Sequence, residues 1–511
     1  MKLERKYRRD RAHFGLGGWF RATGLAVSLL AVALPAPAAE RQGGTNVGAP
    51  RPNILVILCD DLGYADVGFN GSPDIRTPSI DRLARDGMVF TSAYVVHPFC
   101  GPSRMGFITG RYPHEFGGPF NLPITGQWGG GEESKGLPVA ETTIATVLQR
   151  AGYHTGAIGK WHMGIRAPFH PNNRGFDEFF GFLGGGHLYF PEEYKREYAK
   201  RKAAGVEEID EYLVPLEHNG RPVDETEYLT DAFSREAVRF DTDAAGRDAP
   251  FFLYLAYNAP HAPLQATDAD LALYAHIPDE KRRIYAAMVH AVDRGVGRIV
   301  DALEETGQLE NTLIVFFSDN GGKLTLGANN GPLRDGKGST HEGGWRVPMF
   351  FHWPREIPAG ARCDDPVSAL DFYPTFAALA GAAIPEGKDL DGVNLWPVVA
   401  QGRSPAPARP LFVLRHRKGY HDAGVRQGRW KAVRVGRGPW RLYDMRLESG
   451  ETLDLSDMYP DVLDSLVKAE GAWAENLPQP LWFHTLEEGE QWRADAMPHY
   501  AETFAHGKDQ R

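Results

Sequence analysis

Four apolar segments in this sequence each run into polar residues whose types suit metal or anion chemistry. The segments and the residues that follow them are 53–58 with Asp60 and Asp61, 154–158 with Lys160 and His162, 251–256 with Asn258 and His261, and 312–317 with Asp319 and Asn320. Apolar runs of this kind are typical of buried parallel strands, and open α/β sheets bind ligands outside the carboxyl ends of their strands. We therefore expect these side chains to converge on one site. Three carboxylates and an amide oxygen would suit Ca²⁺ or Mg²⁺ there, and not zinc.

Each of these pairs, taken singly, also has an ordinary structural explanation. Two aspartates after a strand often form a turn or cap a helix, and the Asp-Asn-Gly-Gly sequence at 319–322 is a good turn. A lysine or histidine at the end of a strand is usually solvated. The placement of all four pairs after strands of one sheet is what favours a functional site.

A further segment, 99–104 with the sequence Phe-Cys-Gly-Pro-Ser-Arg, places a cysteine at the start of a helix. Pro102 is typical of a first helical turn, and Gly110 predicts where the helix ends. At a helix N-terminus the exposed N–H groups and the macrodipole favour an anion close to Cys100. A structural cysteine and a thiol nucleophile are the alternatives. A thiol attacking an ester would need a histidine base and would have no use for a metal site.

The Cys-x-Pro-Ser-Arg sequence from Cys100 to Arg104 resembles the signature of type I sulfatases, in which a dedicated enzyme oxidises the cysteine to formylglycine. Further segments resemble this family in the same order along the chain, over residues 52–455: 53–64, 77–83, 109–113, 159–162, 258–261, 318–322, 336–338, 430–431 and 442–444. The resemblance implies an α/β fold, namely the alkaline-phosphatase-like sandwich with a mixed, mostly parallel central sheet. It also implies a smaller C-terminal α+β subdomain with an antiparallel sheet.

The resemblance implies a role for each of the polar residues as well. One Ca²⁺ ion per chain would be held by the modified residue and four neighbours, which are Cys100, Asp60, Asp61, Asp319 and Asn320. Hydrated formylglycine is a diol, one oxygen of which attacks the sulfur of a sulfate ester. Arg104 would support the modified side chain, while Lys160 and Lys337 would clamp the sulfate oxygens. His261 is expected to protonate the leaving alcohol, and His162 to take a proton from the second hydroxyl as sulfate leaves.

Two loops depart from what many relatives in this family carry. The loop 339–348 has His341 and Trp345 where a tyrosine and a small aliphatic residue are common, and it lies close to Lys337 in the sequence. The loop 184–189 is rich in glycine and contains His187. We expect His187, His341 and Trp345 to contact the substrate, with simple packing as the alternative for His187 and Trp345.

The remaining pattern predicts the elements that position these residues. Helices are expected at 77–87, 279–307, 367–380 and 460–473, and strands of a small antiparallel sheet at 430–435 and 440–444. The predicted organisation has five parts: a signal peptide (1–38), a flexible lead-in (39–52), a catalytic domain (53–400), a linker (401–410) and a C-terminal subdomain with a tail (411–511).

The first 38 residues combine a basic head, a short apolar body at 22–34 and an Ala-Pro-Ala exit at 36–38, as in a cleaved signal peptide. We therefore expect an exported protein, either periplasmic or secreted. An uncleaved membrane anchor is the alternative. The Arg8-Arg9 pair is compatible with twin-arginine export.

The charge and composition of the chain exclude some classes of partner. Its 511 residues carry a formal charge of −10, which becomes −15 when 1–38 leaves with seven basic and two acidic residues. Such acidity disfavours nucleic acid, and no apolar stretch after the N-terminus is long enough for stable membrane insertion. An anionic substrate must therefore enter a locally positive pocket. Three cysteines, Cys59, Cys100 and Cys363, are too few for a disulfide scaffold in an exported chain of this size.

Together these features predict the hydrolysis of sulfate monoesters to an alcohol and inorganic sulfate. The expected partners are a sulfated small molecule or saccharide, with galactose or N-acetylgalactosamine sulfate as the working hypothesis, and a formylglycine-generating maturation enzyme. Two other functions stay open at this point. One is a phosphonate monoester or phosphodiester hydrolase that shares the formylglycine. The other is a non-catalytic carbohydrate-binding relative, which the intact 100–104 motif disfavours.

Overall fold

The structure is a computed structural model that describes residues 51–123, 135–207, 209–401, 408–417 and 420–494. The predicted signal peptide (1–38), most of the lead-in (39–52), most of the linker (401–410) and the end of the tail lie outside the described residues. These assignments therefore stay predictions.

The described part of the chain contains sixteen strands and twelve α-helices. The strands are β1 (Asn53–Cys59), β2 (Met88–Phe90), β3 (Ala93–Tyr94), β4 (His154–Lys160), β5 (Glu178–Phe182), β6 (Glu217–His218), β7 (Arg221–Pro222), β8 (Phe251–Ala256), β9 (Thr312–Ser318), β10 (Met349–His352), β11 (Ala361–Cys363), β12 (Val367–Ser368), β13 (Leu411–Arg417), β14 (Tyr420–Gln427), β15 (Trp430–Arg434) and β16 (Arg441–Asp444). The helices are α1 (Pro78–Arg85), α2 (Cys100–Thr109), α3 (Ile144–Arg150), α4 (Pro191–Ala203), α5 (Leu229–Ala245), α6 (Asp268–Leu273), α7 (Glu280–Glu305), α8 (Glu342–Trp345), α9 (Phe372–Ala380), α10 (Trp396–Gln401), α11 (Pro460–Ala474) and α12 (Leu486–Ala494).

Ten of the strands form one mixed sheet in the order β11-β2-β10-β9-β1-β8-β4-β5-β6-β7. Its centre is parallel, because β9, β1, β8, β4 and β5 pair in one direction. The antiparallel pairs lie towards the two sides of the sheet, between β9, β10 and β2 and between β5, β6 and β7. The prediction of a mixed, mostly parallel central sheet is confirmed.

The central strand β1 buries side chains on both faces of the sheet, which explains why its sequence is apolar throughout. Ile54, Val56 and Leu58 join one hydrophobic cluster, whereas Leu55 and Ile57 join another. This division follows from the alternation of side chains along a strand. The first cluster includes residues of α2, α3 and α9, and the second includes residues of α1, α5 and α7. Helices therefore cover both faces, as expected for a sandwich of this class.

The register of the parallel strands brings their carboxyl ends level with one another. Cys59 of β1 pairs with Ser318 of β9, and Leu58 pairs with Ala256 of β8. Gly159 of β4 pairs with the same Ala256. The polar residues that follow these strands, or end them, therefore meet at one edge of the sheet.

Helix α2, which begins at Cys100, is buried along its whole length. It ends at Gly110, whose φ of 69° lies in the left-handed region and whose N–H donates to the carbonyl of Gly106. A Cβ atom at position 110 would come within 2.8 Å of Tyr373 Cβ. Glycine is therefore required here both for the backbone turn and for the close approach.

The C-terminal part forms a second, antiparallel sheet in the order β13-β14-β15-β16, which confirms the predicted small sheet. Leu411, Val413 and Val425 of this sheet belong to the same hydrophobic cluster as helix α2. The strands of the second sheet thus pair only with one another in the described residues, but their apolar side chains share one hydrophobic core with the ten-stranded sheet and its helices. The boundary between a catalytic domain and a C-terminal subdomain stays a prediction.

The local prediction of one helix, at 367–380, is corrected by the structure. Val367 and Ser368 form β12, which pairs with β3, and the helix α9 begins only at Phe372. Ser368 and Asp371 form a capping box between the two elements. The first two residues of the predicted helix therefore belong to a strand, and the capping box marks where the chain leaves the strand and enters the helix.

The sequence did not predict β13, β14 or α12. Polar residues occupy buried positions within the two strands, with His421 and Asp422 of β14 enclosed, so the apolar alternation of a strand is interrupted. No helix in the described residues is both long and apolar enough to span a membrane.

Candidate active site

The edge of the sheet where the parallel strands end holds buried ion pairs between three cations and three aspartates. The closest contacts join Lys160 Nζ to Asp60 Oδ2 at 2.5 Å, Arg104 Nη2 to Asp319 Oδ2 at 2.8 Å, and Lys337 Nζ to Asp61 Oδ1 at 2.6 Å. Arg104 Nη2 also lies 3.6 Å from Asp60 Oδ2. The least enclosed of the six side chains is that of Lys337, which is 11 % exposed. The structure therefore brings together residues that the sequence distributes over nearly 280 positions.

Asp60 lies at the centre of this group of charges. Burial acts to raise its pKa, but the positive charges of Lys160, Arg104 and Lys337 outweigh burial, and His261 adds to them once it is protonated, so the pKa of Asp60 lies well below its usual range. Asp60 is therefore ionised at neutral pH, and it is so because cations surround it.

Ligand atoms of Asp60, Asp61, Cys100 and His261 all lie within 4.8 Å of one another, close enough to bind one metal ion. Two buried oxygens of this region, Asp61 Oδ2 and Asn320 Oδ1, have no hydrogen-bond partner among the described residues. The amide nitrogen of Asn320 donates instead to Asp61 Oδ1 at 2.7 Å. Buried acceptors without partners are costly, and a hard cation would satisfy both.

Asp319, a predicted metal ligand, lies beside this group. Its Oδ2 accepts a hydrogen bond from Arg104 Nε at 2.9 Å, and its Oδ1 accepts from the N–H of Asp61 at 3.3 Å. Arg104 also donates to the carbonyl of Lys160 at 3.0 Å. This arginine therefore ties helix α2 to the ends of strands β9 and β4.

Asp61 and His162 both have a left-handed backbone, with φ of 64° and 59°. Residues with side chains adopt this conformation only where the surrounding structure enforces it. At Asp61 the enforcing group is Tyr285, whose hydroxyl donates to the Asp61 carbonyl and accepts from the N–H of Gly63. The main-chain conformation therefore helps to fix the positions of these two predicted site residues.

Cys100 occupies the first turn of α2, as expected. Its Sγ lies 3.4 Å from Asp60 Oδ1 and 3.2 Å from Lys337 Nζ. Burial, together with the charge of Asp60, raises the pKa of the Cys100 thiol to about 12. A nucleophilic thiol needs a lowered pKa, so the environment disfavours catalysis by the unmodified cysteine.

His261 and His162 complete the set of expected catalytic side chains. His261 Nε2 lies 3.8 Å from Asp61 Oδ2, and its Nδ1 lies 2.7 Å from the carbonyl of Ala262. Burial lowers the pKa of His261 to about 4. Burial and the charge of Lys160 lower the pKa of His162 well below its usual value. Both imidazoles are therefore neutral at neutral pH in the protein without substrate.

Two of the three residues expected to contact substrate are enclosed in the protein, which corrects that expectation. His187 is fully buried, and its ring nitrogens lie 2.7 Å and 2.8 Å from the carbonyls of Leu188 and Val214. Trp345 is also fully buried, and its indole N–H donates to the carbonyl of Val95 at 2.6 Å. Neither side chain reaches a surface that a substrate could touch, because both complete the packing of the fold.

His341, the third of these residues, is placed differently. It is 6 % exposed, and its Nδ1 lies 2.7 Å from Asp335 Oδ2. Asp335 lies two positions before Lys337 and has a left-handed φ of 60°. His341 therefore braces the loop that carries Lys337.

A small cavity lies beside His162 and is lined in part by Gly184 and Glu211. Glu211 accepts a hydrogen bond from the N–H of Gly185 at 2.9 Å, and burial raises the pKa of its carboxyl group. Glu211 could not be predicted from the sequence, since one glutamate within the acidic stretch 207–211 does not stand out from its neighbours. The glycines at 184–186 were the one available signal.

Two further residues support the site without having been predicted. Asn121 Oδ1 accepts a hydrogen bond from the N–H of Gly101 at 2.9 Å, in the first turn of the helix that carries Cys100. The hydroxyl of Tyr189 lies 2.7 Å from the Asn258 carbonyl and 2.8 Å from the His261 carbonyl. Neither could be found from the sequence, because each acts through contacts with residues distant in the chain.

Two family models match the chain. The model described as Sulfatase matches residues 52–382, and the model described as N-sulphoglucosamine sulphohydrolase, C-terminal, matches residues 336–468. N-acetylgalactosamine-6-sulfatase of Homo sapiens is 36 % identical over 375 residues, which cover 72 % of this chain and 69 % of that protein. Arylsulfatase J of Mus musculus is 32 % identical over 484 residues, which cover 85 % of this chain and 78 % of that protein.

Solved structures extend the likeness to three dimensions. The crystal structure of Ps i-CgsB in complex with k-i-k-neocarrahexaose is 55 % identical with a TM-score of 0.86, and the match covers 89 % of this chain and 100 % of that chain. Phosphonate monoester hydrolase SpPMH from Silicibacter pomeroyi is 21 % identical with a TM-score of 0.58, over 83 % of this chain and 96 % of that chain. The second of these likenesses is one of fold alone.

Proposed function

Since this chain belongs to the sulfatase family and is a hydrolase of sulfuric esters, we propose that it cleaves sulfate monoesters of a saccharide by means of formylglycine at residue 100 and one bound Ca²⁺. The observation that carries the proposal is the position of Cys100, whose Sγ lies within hydrogen-bonding distance of both Asp60 and Lys337. The side chain at this position thus adjoins both a proposed metal ligand and a proposed sulfate ligand.

The proposed calcium site consists of Asp60, Asp61, Asp319 and Asn320 with the modified residue 100. The partnerless oxygens Asp61 Oδ2 and Asn320 Oδ1 support this proposal, because a hard cation prefers such oxygen ligands. Bound Ca²⁺ would supply positive charge that polarises the sulfate and favours loss of a proton from the diol.

Residue 100 is proposed to act as the hydrate of formylglycine, for which the Cys100 thiol stands in here. Such a hydrate offers two hydroxyl groups on one carbon, one to attack sulfur and one whose deprotonation expels sulfate and restores the aldehyde. The raised pKa of the Cys100 thiol supports this proposal, because a protonated thiol at this position would be a poor nucleophile.

Lys160 and Lys337 are proposed to bind the sulfate oxygens. In the structure both ammonium groups are paired with aspartates that would serve as metal ligands. A dication at those aspartates would release the ammonium groups from part of this pairing and leave them available to the anionic substrate. Arg104 holds Asp319 in position through two of its nitrogens.

His162 is proposed to take up a proton, and His261 to donate one. His162 is neutral, and its buried Nδ1 has no hydrogen-bond partner among the described residues, so it is free to accept. His261 has its Nδ1 against a carbonyl, so Nε2 must gain the proton that is passed to the leaving alcohol. The negative charge of a bound sulfate ester would favour this protonated form.

The proposed substrate is a sulfated galactose-type unit in an oligosaccharide. Support comes from the relatives named N-acetylgalactosamine-6-sulfatase and from the neocarrahexaose bound to Ps i-CgsB, whose chain this protein matches over its whole length. The pattern at residues 1–38 supports export to the periplasm or the medium. Formation of formylglycine would further require a maturation enzyme.

The test compares substrate classes on protein matured in the presence of a formylglycine-generating enzyme. Release of sulfate from an aryl sulfate and from galactose and N-acetylgalactosamine sulfate saccharides is measured beside hydrolysis of an aryl phosphonate monoester and an aryl phosphodiester. We expect the sulfate esters to be turned over far faster. Faster turnover of the phosphorus esters would favour the phosphonate hydrolase instead, and binding of saccharide without any turnover would favour a non-catalytic relative.

A further inference from the structure

A second cavity lies between the C-terminal sheet and helix α12. Its lining includes two aromatic side chains, Phe120 and Trp492, and two arginines of strand β13, Arg415 and Arg417. The proposed mechanism uses none of these residues. Guanidinium groups beside aromatic rings are a common way to bind an anionic sugar, since the rings offer apolar faces and the arginines offer charge.

The two arginines differ in how their charge is neutralised. Arg417 Nε donates to Asp422 Oδ2 at 2.7 Å, so its charge is already paired. Arg415 is partly buried and forms no ion pair with any carboxylate in the described residues; it donates to the carbonyl of Gly338 and lies over the Phe99 ring, with 4.7 Å from Cζ to the ring centroid. Burial lowers the pKa of Arg415 to about 10 and the charge of Arg417 acts in the same direction, while the more distant carboxylates of Asp422 and Glu488 act against this shift.

The carboxylate that also lines the cavity, Glu488, acts on Arg415 through its charge but forms no direct ion pair with it in the described residues. Glu488 Oε2 accepts a hydrogen bond from the N–H of Thr485 at 3.2 Å, and the N–H of Glu488 donates to Thr485 Oγ1 at 3.1 Å. Glu488 is therefore engaged at the start of α12. Of the two arginines that line the cavity, Arg415 is therefore the one without a direct ion pair in the described residues, and its guanidinium group can bind an anionic ligand.

Arg415 lies directly against the two segments that carry catalytic side chains. Phe99 precedes Cys100, and Gly338 follows Lys337. A Cβ atom built on Gly338 would lie 2.9 Å from both Arg415 Nη1 and Phe99 Cζ, so the three residues meet at one point. An anionic group bound by Arg415 would thus lie beside the two segments that carry Cys100 and Lys337, so one extended ligand could reach both.

We propose that this cavity is a second anion subsite, in which Arg415 binds the sulfate group of a sugar next to the one that is desulfated. The inference rests on the proposed function and specifies its substrate as a saccharide with sulfates on adjacent sugars. The arginine fork suits two sulfate oxygens, and Phe120 and Trp492 would contact the sugar ring. The subsite also explains how a chain with a net charge of −10 attracts a polyanion locally.

The test uses two tetrasaccharides with the same backbone. One carries only the sulfate that is removed, and the other carries a second sulfate on the adjacent sugar. Wild type, Arg415→Gln and the charge control Arg441→Gln, which alters an exposed arginine of β16, are compared by kcat/KM on both substrates. We expect Arg415→Gln to lower the preference for the doubly sulfated substrate by about tenfold or more, and Arg441→Gln to leave it unchanged.

An equal loss on both substrates would mean that Arg415 only braces the Lys337 loop, and it would overturn the subsite; so would an unchanged preference. Binding of each tetrasaccharide to Cys100→Ala protein, with and without Arg415→Gln, is measured by calorimetry. This second measurement decides the subsite even if no sulfate is released, an outcome that would refute only the proposed function. If Arg415→Gln does not fold, Arg415→Lys replaces it, and a loss of preference is again expected because an ammonium group cannot match the fork.

Discussion

Lys160 Nζ lies 2.5 Å from Asp60 Oδ2, and both side chains are completely enclosed. Arg104 with Asp319 and Lys337 with Asp61 repeat this arrangement, so that three carboxylates are matched by three cations. Removing one partner of a buried pair is strongly destabilising, whereas a matched set is tolerated. The charges of the site are therefore largely balanced before any metal or substrate binds, although burial raises the pKa of Asp319 to about 7, so this carboxylate is only partly ionised at neutral pH.

This balance predicts that calcium is needed for turnover more than for folding. A chelator should abolish sulfate release, because the positive charge at the aspartates is lost, while the protein still unfolds in one cooperative transition. Added Ca²⁺ should restore activity and raise the melting temperature. Calorimetry and an activity assay on the same sample check both points. Loss of the native fold on chelation would show that the ion is structural first.

The modification of Cys100 is predicted from the surroundings of its thiol. In active protein, mass spectrometry of the tryptic peptide that contains residue 100 should reveal a species lighter than the thiol form by the exchange of sulfur for aldehyde oxygen. Cys100→Ala should be folded and inactive. Full activity from protein that carries only the free thiol would contradict the mechanism.

His261 is predicted to assist the departure of poor leaving groups. His261→Ala should slow sulfate esters of sugar alcohols far more than an ester of an acidic phenol, since an alcohol needs the proton and a phenolate does not. The measurement is a plot of rate against leaving-group acidity, which should become steeper in the variant. Parallel plots would mean that another group donates the proton, with His341 as the next candidate.

Lys160→Ala and Lys337→Ala provide the contrast to His261→Ala. Both lysines are proposed to bind the sulfuryl group that all substrates share, so each variant should slow alcohol and phenol esters alike, by about 100-fold. A loss confined to one substrate class would rule out this shared role.

Glu470 predicts a dependence of stability on pH that is unrelated to catalysis. It is almost fully buried on helix α11, its carboxylate oxygens have no hydrogen-bond partner among the described residues, and burial raises its pKa to about 8. The unfolded chain loses this proton near pH 4.5, so between these two values the free energy of unfolding should fall as pH rises, by about 1.4 kcal/mol per pH unit.

Glu470→Gln should remove this contribution and flatten the dependence of stability on pH between pH 5 and pH 8. The matched control is Glu475→Gln, at an exposed position just beyond the end of the same helix. Thermal melts at several pH values check the slope. Equal slopes for Glu470→Gln and wild type would indicate that the buried carboxyl titrates normally.

Trp345 is predicted to act through packing. Trp345→Phe removes the hydrogen bond to the Val95 carbonyl and leaves a gap beside Tyr94, so stability should fall by about 2 kcal/mol while KM stays unchanged. Denaturation and steady-state kinetics distinguish the two effects. A raised KM at unaltered stability would restore a role in substrate contact.

The sequence predicted those elements in which the local residue pattern matches the burial of the element in the folded protein. Strands β1, β8 and β9 are continuous apolar runs buried on both faces, and their polar ends are visible in the sequence. The environment of Trp345 could not be predicted, because the residues around it, Tyr94 and Lys431, come from distant segments. The same holds for Arg415, because its contact with the ring of Phe99 joins two segments that lie far apart in the sequence.

The burial of Cys100 has a consequence for the biosynthesis of the active protein. The side chain is 2 % exposed, and every residue of α2 is enclosed by the central sheet and the elements around it. A maturation enzyme could not reach this side chain in the finished protein, because the thiol and the helix that carries it are enclosed. If the cysteine is converted to formylglycine, the conversion must therefore happen on the nascent or still unfolded chain. A molecule that folds before it meets the maturation enzyme would then stay inactive. The yield of active protein would therefore depend on the rate of cysteine oxidation relative to the rate of folding.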